Sequence, residues 1–168
     1  MHLPSAPGIS VVGVSFIDTE VGLSHAFLFQ DGVMHDLGTL GEMISSASDI
    51  NNAGDIVGKV ASYTTVNEHI VWTHRAMVYQ GGQMRDLNSL VTLSDGASAG
   101  FVRLEYANGI NNLGVIIGGG LWTDGQGNTS DRSFIATPAA IPEPASVALY
   151  LSGAVFGILL WRRRFGRK

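Results

Sequence analysis

The sequence predicts an all-β body of short antiparallel four-stranded repeats, the blades of an incomplete β-propeller, followed by one C-terminal transmembrane helix. Three observations carry that expectation. A block of sequence recurs at a shift of fifty to sixty residues. Pairs of Asn, Asp and Gly interrupt the short apolar runs. Ala145 to Trp161 is uncharged over seventeen residues.

The repeat is gapless in its first half. Ala26-Phe27-Leu28-Phe29-Gln30-Asp31-Gly32-Val33-Met34-His35-Asp36-Leu37 aligns with Ala76-Met77-Val78-Tyr79-Gln80-Gly81-Gly82-Gln83-Met84-Arg85-Asp86-Leu87, fifty residues on. Further along, Ile50-Asn51-Asn52-Ala53-Gly54-Asp55-Ile56-Val57-Gly58 matches Ile110-Asn111-Asn112-Leu113-Gly114-Val115-Ile116-Ile117-Gly118, now sixty residues on. The second copy therefore holds about ten more residues near Ser94 to Arg103. Val11-Val12-Gly13 reads as the end of an earlier copy, and Ser133 to Thr137 as the start of a third.

Asp31-Gly32 and Gly81-Gly82 are two-residue hairpin signals between apolar runs. Asn51 to Gly54 and Asn111 to Gly114 supply a second turn, because Asn and Gly tolerate the left-handed region. The first copy then reads as strands over roughly 26–30, 33–37, 46–50 and 55–62, the pattern of a propeller blade, with a solenoid of small sheets as the competing architecture. Two full copies and two partial ones are too few for a ring of at least four blades. The chain thus reads as part of a longer design, a minimal sheet assembly, or one member of an oligomer.

The domain organisation follows. Residues 1–137 form the β-repeat body, with repeats at about 25–62 and 74–122. Residues 138–144 are a linker carrying Pro142-Glu143-Pro144, whose two fixed φ angles leave no room for regular structure. Residues 145–161 are the expected transmembrane helix, about 25 Å long at 1.5 Å per residue, against an apolar bilayer core of about 30 Å. Residues 162–168 are a basic tail. There Arg162, Arg163, Arg164, Arg167 and Lys168 are the topology signal expected to hold that end in the cytoplasm, with the body on the other side.

Charge is distributed to match. The chain has a formal net charge of −4, but all fourteen acidic residues precede position 145 and five of the ten cations lie at the extreme C-terminus. The body alone carries five cations against fourteen acids, a net of −9. Such a surface repels phosphate, which excludes nucleic acid as a partner. There is no cysteine, which removes disulfides, thiolate nucleophiles and Cys-ligated metals together.

Two family resemblances attach to these residues. The order Pro-Glu-Pro, apolar run, arginine cluster resembles the PEP-CTERM sorting signal of Gram-negative bacteria. The resemblance implies that Pro142, Glu143 and Pro144 are recognised by a membrane processing enzyme, an exosortase. It also implies an inner-membrane precursor that is then released or attached outside the cell, often alongside exopolysaccharide. Exported proteins of that kind begin with a signal peptide. Met1 to Gly8 has neither a basic nor an apolar region, so a start upstream of Met1 is expected. The body resembles the HAF repeat, an extracellular repeat named for a His-Ala-Phe start. Here that start is His25-Ala26-Phe27, followed by Asp36-Leu37-Gly38 and the Ile-Asn-x-x-Gly turn. The second copy departs from it, with Arg75-Ala76-Met77.

The search for chemistry turns up little. His69 and His74 are five apart beside Glu68, a spacing that does not suit a helical metal site. Asp36 and Asp86 recur at equivalent positions, where an Asp that anchors a turn through its own backbone is the ordinary reading. Asp124, Asn128 and Asp131 place oxygens at intervals that suit weak calcium binding, without the closing bidentate Glu; a hairpin loop is the plainer reading. No nucleophile elbow, phosphate loop or dinucleotide fingerprint occurs, and no cofactor is implied. The expectation is an exported, non-enzymatic surface or matrix protein that binds or builds, with exopolysaccharide the partner the family association offers. The alternatives are a secreted glycan hydrolase, which would need two carboxylates facing across a cleft near Trp72 or Trp122, and a remnant of a longer repeat protein.

Overall fold

The computed structural model describes residues 9–91 and 100–138. Within them the chain runs through ten strands. β1 (Val11–Asp18), β2 (Leu23–Gln30) and β3 (Val33–Asp36) come first. β4 (Ile44–Ile50), β5 (Ile56–Val66), β6 (His69–Gln80) and β7 (Gln83–Asp86) follow, then β8 (Gly100–Ile110), β9 (Ile116–Thr123) and β10 (Thr129–Ala136). One 3-10 turn, Leu87–Ser89, follows β7.

The fold class expected from sequence is corrected in two respects, although its all-β character stands. The strands do not form separate four-stranded repeats. They form a seven-stranded sheet, in the order β1-β2-β4-β5-β6-β7 with β3 beside β2, and a three-stranded sheet β10-β9-β8. The physical reason is that β5 hydrogen-bonds along its whole length to β6, across the boundary between the two sequence copies. The expected transmembrane helix is also not supported, since no helix among the described residues is long and apolar enough to cross a membrane. Residues 145–161, the Pro142-Glu143-Pro144 motif and the basic tail Arg162 to Lys168 lie outside the described residues.

The turns follow their local chemistry. Asp31 and Gly32 have φ of 51° and 80°, the paired positive values of a tight hairpin between β2 and β3. The Asn turns work differently from the expectation, because the left-handed residue is the glycine and not the asparagine. Gly54 and Gly114 have φ of 84° and 76°. The Asn51 side-chain oxygen accepts from the Ala53 and Asp55 N–H groups, both at 3.0 Å, and Asn111 does the same for Leu113 and Val115 at 2.9 and 3.0 Å.

The seven-stranded sheet is bent. β2 and β4 meet through one residue pair only, Ser24 with Ile44. Ala26 of β2 nevertheless shares a buried cluster with Val60 of β5 and Met77 of β6, so the β1–β3 part folds over the β4–β7 part. The described residues thus form three layers: front (β1–β3), middle (β4–β7) and back (β8–β10). Between front and middle lie Ala26, Leu37, Ile56, Val60 and Met77. Between middle and back lie Val57, Ala76 and Val78 with Leu104, Ile116 and Phe134.

Burial on both faces explains why β5 opens as Ile56-Val57-Gly58 and continues Val60-Ala61, where a half-exposed strand would alternate. Ile56 and Val60 point to the front layer and Val57 to the back. Each such aliphatic contributes roughly 1.5–3 kcal/mol on burial.

One glycine per layer sits opposite one large side chain. The register pairs Gly13 with Phe27, Gly58 with Met77, and Gly118 with Phe134. A β-carbon on Gly58 would lie 2.9 Å from Met77 Cε and would overlap the Ser46 carbonyl oxygen, which a bulge between Ala47 and Asp49 pushes toward it. Gly118 meets the same limits from Phe134 and the Tyr106 carbonyl. Gly58→Ala should therefore lower unfolding free energy by about 1–3 kcal/mol, the cost of overpacking a close-packed site. Urea titration of the variant against wild type measures it, and an unchanged midpoint would show that the strands separate at no cost.

Candidate functional site

β5 and β6 outreach their neighbours. β4 pairs with β5 only as far as Ala61, so residues 62–66 and 69–73 continue as a two-stranded ribbon. Its tip, Asn67-Glu68, takes positive φ at both residues, 49° and 65°. Asn accepts that conformation readily, whereas a glutamate there is unusual.

Tyr63 and Trp72 face each other across this ribbon. Their rings are 5.2 Å apart at 60°, and they are 40% and 45% exposed. Strand alternation places His74 on the same face, and its ring stacks on Trp72 at 6.2 Å and 22°. Burial, followed by the positive charge of Lys59, holds the His74 pKa below the usual histidine range. The ring therefore stays neutral near pH 7 and extends the flat aromatic surface. Arg103 and Glu105 lie close enough to act on His74, and they pair with each other at 2.5 Å. The buried Arg103 Nε has no hydrogen-bond partner among the described residues. Trp122, half-buried on β9, is covered by the Arg132 guanidinium, 3.6 Å above its ring.

Asp36 and Asp86, singled out in the sequence, fall into a repeated structural scheme. His25 Nδ1 pairs with Asp36 at 2.8 Å, and Asp36 also accepts from the Gly38 N–H at 2.8 Å. Fifty residues on, Arg75 pairs with Asp86 at 2.8 Å, and Asp86 accepts from the Asn88 N–H at 2.9 Å. The Asp anchors its turn and binds whichever partner the preceding strand supplies, His25 in one copy and Arg75 in the other. Burial raises the Asp36 pKa, but the Gly38 N–H and His25 outweigh it and the net shift is downward. Ser15 stands opposite His25 on β1, which places Ser, His and Asp in a row. In the second copy the same row is Val60, Arg75 and Asp86, so the arrangement belongs to the repeat and not to a nucleophile.

Three further carboxylates are engaged in the structure. Glu42 binds Arg75, joining the front layer to the middle one. Asp49 accepts from the Ile110 N–H at 2.8 Å, which ties the middle layer to the back. Asp124 closes its own loop, accepting from the Gln126 N–H at 2.8 Å and the Asn128 side-chain amide at 2.6 Å. Asn128 thus turns a donor toward Asp124, and Asp131 sits on β10 opposite Leu121, so the three do not converge on a cation. No group of three or more His, Asp or Glu among the described residues is placed to hold a metal ion. A cleft of about 650 Å³ is lined by Ser10, Leu28, Gln30, Ile50 and the Asn51 turn, with no carboxylate among the described residues on its walls.

The platform was only half visible in the sequence. Trp72 stood out as an aromatic, but its partnership with Tyr63 depends on the β5–β6 register and on β4 ending early. Compared with known protein families, curated proteins and solved structures, the chain finds no match.

The layer contact at Glu42 gives a pH dependence with a definite sign. The Ser62 hydroxyl holds the Glu42 carboxyl below the usual range, against burial and with help from Arg75. A depressed folded pKa means stability that is present above the unfolded value of about 4.3 and lost as pH falls through the folded value. Urea midpoints should fall between pH 6 and pH 3, as marked by about those two limits of carboxylate titration. Glu42→Gln should lower stability at pH 6 and flatten this acid limb; an acid limb as steep as wild type would remove Glu42 from the account.

Proposed function

We propose that this chain is an exported surface or matrix protein whose β body binds polysaccharide through the Tyr63–Trp72 ribbon. The single observation that carries the binding half is the exposed aromatic pair at the end of a rigid, layered sheet. A pyranose ring offers an apolar face of C–H groups, which packs on an aromatic face by dispersion and weak C–H contacts. Its rim of hydroxyls suits the polar groups around His74. The body's net charge of −9 opposes polyanions, which favours a neutral polysaccharide.

The export half rests on the resemblance of Pro142-Glu143-Pro144 and the terminal cations to a sorting signal, which makes an exosortase-type enzyme the processing partner. Asp36, Asp86, Asp49 and Asp124 each hold a turn or a strand in place, and an aromatic pair presents a binding surface, so the reading favoured is binding.

Affinity electrophoresis of the purified chain tests the binding half, using gels that carry a neutral glucan, a galactomannan or anionic alginate. Retardation is expected in a neutral gel, with Trp72→Ala weakening it by about tenfold, which is about 1.4 kcal/mol. Trp122→Ala should bind as wild type, because Arg132 already occupies that face. A wild-type chain that migrates freely through every gel would sink the reading. For the sorting half, intact mass in the native host should show a mature form ending near residues 142–144; a chain ending at Lys168 in every fraction would refute it.

A further inference from the structure

The two internal layer contacts are versions of one contact. In each, alternate residues of one layer, such as Leu28 and Val12 in the front, pack on the next layer's opposite face, which carries Met77, Tyr79 and Met84 in the middle. Between middle and back, the equivalents are Val78 and Val57 on one side and Phe134 on the other. Every position in this scheme can be followed through the repeat.

Followed outward, the scheme leaves two open faces. Met34 and Phe29 of the front layer are the equivalents of Met84 and Tyr79, which are packed in the interior. At the front they are 58% and 38% exposed. Met34 borders a hollow of about 260 Å³ on this face, together with Ile17, His25, Phe27 and Asp36. At the other end, Ile135 and Ile117 of the back layer are the equivalents of Val78 and Val57, which are 2% and 0% exposed. In the back layer they are 73% and 51% exposed, and they sit directly opposite each other across β9 and β10. Two complementary apolar faces are thus open, each the counterpart of a surface that the molecule buries internally.

We infer that these faces are the two halves of one interface, through which a second copy of this chain docks its back layer on the front layer of the first. The contact is heterologous, head to tail, so each addition leaves a new front face and a new back face free and assembly proceeds in rows. The occupant is identified by the repeat itself: the surface that fits Met77, Tyr79 and Met84 carries small and branched aliphatics at fixed register, and the back layer presents Ile117 and Ile135 at that register. The inference stands apart from polysaccharide binding, since the Tyr63–Trp72 ribbon belongs to neither face.

Sedimentation velocity of the full chain over a range of concentrations tests it, with two variants at exposed positions. Met34→Lys blocks the front face and Ile135→Lys blocks the back face; circular dichroism confirms that both fold. Wild type should grow in mass with concentration. Each variant alone should associate at least tenfold more weakly, while an equal mixture of the two should form dimers and stop there, because the Met34→Lys chain keeps its back face and the Ile135→Lys chain keeps its front. A wild type that stays monomeric overturns the inference. So do variants that associate as wild type does, which would place self-association elsewhere in the chain, and so does a mixture that forms no dimer.

Discussion

Each layer depends on a glycine that stands opposite a large side chain, because only a residue without a side chain lets a large neighbour lie flat across the sheet. Gly13, Gly58 and Gly118 receive Phe27, Met77 and Phe134. At Gly58 and Gly118 a bulged neighbouring strand also brings a backbone carbonyl within the space a β-carbon would need. Stacked sheets sit about 10 Å apart, so the side chains between them must fill that gap without splaying it. A large side chain folded over a glycine fills it from one side and leaves the facing layer room for Ala26 or Ala76, both fully buried.

Polar groups then fix how the layers are joined. Ser45, fully buried, accepts from the Ala26 N–H and donates to the Gly38 carbonyl, which anchors β4 to the front layer. Asn88 does the corresponding work for the back layer, with its side-chain amide exchanging two hydrogen bonds with the Leu104 backbone. The Asn turns meet each other: Asn51 donates to the Asn111 carbonyl, and the Asn52 N–H donates to Asn112. These bonds satisfy backbone groups that would otherwise be buried unpaired, at a cost of about 1–3 kcal/mol each. The scheme absorbs Asp36 and Asp86, whose recurrence first looked like chemistry. What it leaves over is the aromatic ribbon, which makes no contribution to layer packing at its tip and is free to bind. Rows of such layers would present ribbons at regular intervals, and a polymer held at several points is held more tightly than at one.

Much of this was legible in the residues. The four strands expected in the first copy, roughly 26–30, 33–37, 46–50 and 55–62, overlap β2 to β5, because turn chemistry at Asp31-Gly32 and the Asn turns is local and survives any tertiary arrangement. The anchoring role of Asp36 and Asp86 was legible for the same reason, as a bond to a backbone two residues on. By contrast, the grouping of strands into blades was misjudged. A periodic sequence states its period but not the point at which one hydrogen-bonded unit ends and the next begins, and β5 pairs forward with β6 where the sequence copy had seemed to close.

By itself, then, the sequence determined the all-β character, the turns and the acidic body, which follow from composition and from neighbours within a few residues. Only the tertiary structure decided the bend at the single Ser24–Ile44 pair, the three-layer stack, the pairing of Tyr63 with Trp72 and the exposure of Met34 and Ile135. Those features depend on which residues meet across twenty or more positions of chain. A side chain's partner at that distance is set by sheet register and layer contact, and neither is written in the residue or its immediate neighbours.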